Sequence, residues 1–234
     1  MFFYTEQKAI AELQKQCRFD GAPKTDDAVA HALRAATKFH KSTNPELHYW
    51  YGMLVHAYVT WFIRGDARKP HLEQAVAALT RALERADRLP WIDDAAPLDQ
   101  VRIRGNLGRI LVEEALVRDS AAAVTILEAI YRTISAYEPS MCFYAEALYQ
   151  LGDYLQAAQV GVDLHTRAQG DPLFHDDIPT RPLDVAAKSY RALYRAAKKA
   201  GNSSLAAQHL QSIVQLGVAT EHDQKLLGKV LKAL

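Results

Sequence analysis

Four basic residues, Lys188, Arg191, Arg195 and Lys198, stand three, four and three positions apart. On a helix that spacing puts their side chains on one face. Such a row can take carboxylates by charge-assisted hydrogen bonds, so its fitting ligand is an acidic segment. The plainer reading is a basic face held in water, where surface ion pairs contribute little. A second set invites a metal, because Asp93-Asp94 and His175-Asp176-Asp177 offer hard donors. Helical enzymes that hold magnesium through aspartates place them at helical spacing, whereas here proline interrupts each run. The Asp pairs therefore read as solvated or helix-capping groups, and no metal ligand is assigned.

The nine histidines are scattered, and none lies in an HExxH pattern. Neither a GxSxG elbow nor a phosphate-cradling glycine loop is present. His56 sits in an apolar stretch and reads as a satisfied buried histidine. Around it Tyr49, Trp50, Tyr51, Tyr58, Trp61 and Phe62 recur at helical spacing, which is the mark of core. The alternative for this stretch, 46–64, is an aromatic pocket serving a helical enzyme or a small-ligand receptor. Cys17 and Cys142 lie far apart without a CxxC, as in a cytoplasmic protein with reduced thiols. No catalytic residue and no cofactor is assigned.

The elements that must position these residues are helices. Hydrophobic residues make up 49% of the chain and charged residues 24%, enough apolar surface for a folded core. The net charge of +1 gives no global pull toward nucleic acid or an anionic membrane. The opening residues show no secretory signal, and the most apolar window, 49–63, is shorter than the ~20 residues of a membrane span. The nine prolines segment the chain. Between them the periodicity predicts eleven helices, at 5–18, 25–41, 46–64, 70–88, 98–118, 120–136, 139–151, 154–169, 183–200, 203–216 and 220–233. Thr25, Asp99, Ser120 after Asp119, and Thr220 with Asp223 at its third position offer caps. No stretch alternates with period two, so no strand is expected. The loops 89–97 and 170–182 each carry an aromatic, an Asp pair and a Pro-Leu-Asp, from an internal duplication or from two independent solutions to capping.

Residues 138–171 resemble a tetratricopeptide repeat, a roughly 34-residue pair of antiparallel helices. Ala145 and Leu148 fall on the first helix, Gly152-Asp153-Tyr154 on the turn and Ala157 on the second. Met141 stands where the pattern favours Trp, and Gly161 where it favours an aromatic. Residues 187–220 fit again through Tyr190, Leu193, Gly201, Ala206, Leu210 and Ile213. Residues 101–136 fit more loosely through Leu107-Gly108, Leu111, Leu127 and Ile130. Residues 46–88 fit loosely through Gly65-Asp66, Ala75, Leu79 and Ala82.

The resemblance implies an all-α, α–α superhelix of about five antiparallel hairpins, with 1–45 an unassigned helical pair and 46–137 degenerate repeats. The better repeats occupy 138–220, and 221–234 forms a capping helix. It also implies that Lys188, Arg191, Arg195 and Lys198 lie on first-helix positions that line a concave groove. Arg102, Asn106 and Arg109 fall on equivalent positions of the fifth helix. The resulting expectation is a non-catalytic adaptor that docks an acidic peptide or helix, without nucleic acid or membrane. A homo-oligomeric scaffold is a further alternative. On this reading, reversing Arg191 and Arg195 disturbs binding and leaves the fold intact.

Overall fold

The caps found in the sequence do start helices. Thr25 Oγ accepts from the Ala28 amide, Asp99 from Arg102 and Asp119 from Ala122, while Thr220 and Asp223 close a reciprocal capping box. Asn44, Asp153 and Asn202 cap three more. The computed structural model describes residues 5–17, 25–93, 96, 98–170 and 180–233. Among these, eleven α-helices are formed and no strand. They are α1 (Glu6–Cys17), α2 (Asp26–Ala36), α3 (Pro45–Phe62), α4 (Arg68–Leu83), α5 (Gln100–Glu113), α6 (Ser120–Thr133), α7 (Met141–Gln150), α8 (Tyr154–Gln169), α9 (Arg181–Lys199), α10 (Ser203–Gln215) and α11 (Glu221–Leu231). Among the described residues no helix is long and apolar enough to cross a membrane.

The chain divides into two compact units, Met1–Arg118 and Asp119–Leu234. In the first, α3 is the hub, with α1, α2 and α4 all packed on it. Its apolar residues face every side, and Leu47, Leu54, Val55 and Val59 are buried. Gly52 lets α4 come close. A Cβ there would stand 2.9 Å from Leu79 Cγ and 3.0 Å from the Ala75 carbonyl oxygen. A core of Ala9, Ile10, Leu13, Val29, Ala32 and Leu54 joins α1, α2 and α3. The helix α4 packs on α5, and side-chain bonds link α3 with α5.

In the second unit each helix packs on the next from α6 to α11, and α7 also meets α9. The odd-numbered helices are tied by Lys188 to Glu146 and by Arg191 to Asp223, and α6 is tied to α8 by Tyr131 donating to Asp163 at 2.9 Å. The helices α7, α9 and α11 thus form one row, and α6 is joined to α8. The two hairpin turns are built alike. Gly152 and Gly201 adopt φ of 85° and 73°, a region only glycine enters freely, and each precedes a capping Asp153 or Asn202. The amides of Asp153 and Asn202 reach back to Leu148 and Ala197 carbonyls at 3.0 Å, the closing bond of a Schellman turn. Leu226, Leu227 and Val230 of α11 pack on the Tyr194, Ala206, Leu210 and Ile213 core.

Candidate docking site

The basic row does share one face of α9, but its members have different occupations. Lys188 is half-buried, ion-paired with Glu146 of α7, and stands over the Tyr149 ring at 4.4 Å from its centroid. Arg191 departs from the expectation of a solvent-facing pair. Its Nε and Nη2 donate to both carboxylate oxygens of Asp223, at 3.1, 3.3 and 2.8 Å. Asp223 is buried, and it also accepts from the Thr220 amide and hydroxyl at 2.9 and 2.8 Å. These donors, Arg191 first, hold its carboxyl well below the usual carboxylate range despite burial. The pair therefore joins α9 to the start of α11. Arg195 and Lys198, further along α9, are exposed, and no ion partner is recorded for either among the described residues.

On α5, Arg102, Asn106 and Arg109 share a face turned toward α3. Asn106 donates to the Tyr49 hydroxyl at 3.0 Å and to the Arg102 carbonyl at 2.9 Å. Tyr49 is buried, which pushes its hydroxyl up to about 12. Arg102 donates to the Ala96 carbonyl and pairs with Asp99, the cap of its own helix. Arg109 is half-buried, and its Nε meets no acceptor. Immediately after α5, Glu114 accepts from Arg68 at 3.1 and 2.9 Å and bonds His56 Nε2 at 3.1 Å. His56 is thus a satisfied histidine. Burial lowers its pKa, and Glu114 offsets part of that.

The aromatic set of α3 divides between core and surface. Tyr49 is buried, Trp50, Tyr51, Tyr58 and Trp61 pack partly buried against the first core, and Phe62 is 37% exposed. Of the Asp loops, Asp99 does cap α5. Asp94, His175, Asp176 and Asp177 lie outside the described residues, so the loop comparison does too. Among the described residues no group of three or more His, Cys, Asp or Glu could hold a metal ion.

The α5 set belongs to the first unit and the α9 row to the second. Glu146 and Asp223, the partners of the α9 row, and Glu114, the partner of His56 and Arg68, were not singled out as such from sequence. Asp223 did carry a signal, as the third residue after Thr220, but a helix cap does not reveal an arginine 32 positions away.

No protein-family model matches the chain, and no curated protein is similar to it. Among solved structures, the nuclear import adaptor Nro1 of S. pombe is similar over 97% of this chain and 88% of its own, with 14% identity and a TM-score of 0.47. A likeness of that degree carries no argument about role.

Proposed function

We propose that this protein is a non-catalytic interaction adaptor, which docks an acidic peptide or helix on its odd-numbered helices. The supporting observation is the distribution of charge on α9. Carboxylates of α7 and α11 neutralise Lys188 and Arg191, while Arg195 and Lys198 project into water without an ion partner among the described residues. Unneutralised cations on an ordered helix have no existing ion pair to break before they receive carboxylates. Arg195 and Lys198 are the primary contacts in this reading. Lys188 and Arg191 hold the surface in shape, and Arg102, Asn106 and Arg109 supply a second, more polar surface in the first unit.

The test is charge reversal. Arg195→Glu with Lys198→Glu is expected to change stability by about 0.5 kcal/mol, since both positions are exposed. Affinity capture from the native cell should lose its salt-sensitive protein partners by about tenfold or more, as charge-assisted contacts are lost. Thermal unfolding and quantitative capture of the two forms decide it. Unchanged capture of every partner removes the α9 row from the docking surface.

A further inference from the structure

A slot of about 280 Å³ opens in the first unit between the end of α2, α3 and α4. Phe39, Leu47 and Ala78 are among its apolar lining, and of its six polar residues Thr37 and His40 bond backbone carbonyls, which leaves His48, Tyr51, Gln74 and Arg81. His48 is 5% exposed, and its Nε2 lies 2.8 Å from the Ser42 carbonyl oxygen. A carbonyl can only accept, so Nε2 carries the hydrogen and Nδ1 is left with a lone pair. Burial lowers the pKa of this ring, the bond to the Ser42 carbonyl offsets part of that, and Arg85 and Arg81 add smaller lowering contributions. No protein partner is recorded for Nδ1, and it is not among the polar atoms sealed from solvent. His48 lines the slot, and this lone pair is the acceptor its ring can offer there.

Beside His48 on α3, and across from it on α4, stand groups of matching polarity. Gln74 Nε2 donates to the Tyr51 hydroxyl at 2.5 Å, so the Tyr51 proton is available to donate elsewhere. Gln74 Oε1 remains an acceptor. Arg81 is exposed at the mouth, and its guanidinium makes no recorded ion pair among the described residues. The slot thus combines an acceptor deep inside, a donor beside it and a cation at its rim over an apolar floor. Convergent polar groups in an apolar concavity are the usual form of a small-ligand site. At about 30 Å³ per water-sized group, the volume suits a body of roughly ten heavy atoms.

We infer that this slot binds a small monocarboxylate that has an apolar body and one O–H or N–H donor. The donor meets His48 Nδ1, the Tyr51 hydroxyl donates to a ligand oxygen, and the carboxylate sits against Arg81.

The test follows the imidazole nitrogens of the full chain by ¹⁵N NMR, with His48 assigned from its loss in His48→Gln. The probes are 4-hydroxybenzoate, 3-hydroxybenzoate and indole-2-carboxylate, with 4-hydroxybenzamide as the uncharged comparison. At least one carboxylate should move the His48 Nδ1 resonance saturably in the millimolar range or below. Arg81→Gln, at an exposed position, should weaken that carboxylate tenfold or more and leave the amide unchanged. Tyr51→Phe should weaken both. The inference is overturned if no carboxylate gives a saturable shift, if acid and amide bind alike, or if Arg81→Gln leaves the carboxylate's affinity intact.

Discussion

Replacing Gly161 with alanine is expected to destabilise the second unit by about 3 kcal/mol, the upper end of the usual overpacking cost. Gly161 is buried in the middle of α8, where alanine would ordinarily improve the helix by up to about 1 kcal/mol. Packing reverses that sign. A Cβ at this position would stand 2.5 Å from the Pro182 carbonyl oxygen, 3.1 Å from the Ala186 amide nitrogen and 3.1 Å from the Ala186 Cβ. Two of those atoms belong to the α9 backbone, which cannot rotate aside as a side chain can. Either α9 shifts, or the bond angles around Gly161 strain. As a control, Gly228→Ala on α11 meets no atom within 4 Å and should be neutral or slightly stabilising. Chemical unfolding of both variants measures the contrast. Equal midpoints for Gly161→Ala and the parent would show that α8 and α9 are not packed this closely.

Arg191→Glu should cost about 2–4 kcal/mol, unlike the reversals at Arg195 and Lys198. Breaking a buried pair strands the remaining charge, at about 3–5 kcal/mol when both partners are buried. Arg191 is 31% exposed on its side chain and Asp223 only 4%, so water relieves part of the cost on the arginine side. A glutamate in that place adds like-charge repulsion against a carboxylate that already holds the start of α11. The same pair predicts an acid sensitivity. Because the folded-state carboxyl of Asp223 is more acidic than its ordinary value of 3.8, its stabilising contribution is complete above that value and is lost as pH falls below it. Asp223→Asn should flatten the fall in stability below about pH 4, as read by thermal unfolding across pH. A variant that falls as steeply as the parent would assign the acid loss to other carboxylates.

Much of the fold was legible because local signals carry it. Proline positions, caps and helical periodicity together located all eleven helices, and residues 154–169 match α8 at both ends. Where ends differ, local and tertiary forces explain them. Pro70 is the third residue of α4 rather than its first, since a first-turn proline removes an amide that had no acceptor anyway. The helix α5 stops at Glu113 because Glu114 leaves the helical region, at φ −85° and ψ 100°, and its carboxylate goes to Arg68 and His56. Gly161, a departure from the repeat pattern in sequence, is explained only by the approach of α9. The basic row was visible as a spacing. Its division into structural and solvent-facing members was not, because Glu146 and Asp223 lie 42 and 32 positions away and only packing brings them in. The slot beside His48 was hidden for the same reason, being shared by three segments whose residues look like ordinary core and surface.

The adaptor reading is tested most directly by asking what touches α9 in the cell. A photo-crosslinking benzoylphenylalanine would be placed at position 195, and for comparison at position 208, an exposed residue on the even-numbered helix α10. The docking surface described here predicts a discrete protein adduct from position 195, diminished by Lys198→Glu in the same chain, and none of comparable yield from position 208. Absence of an adduct at 195, or equal adducts at the two positions, would contradict it.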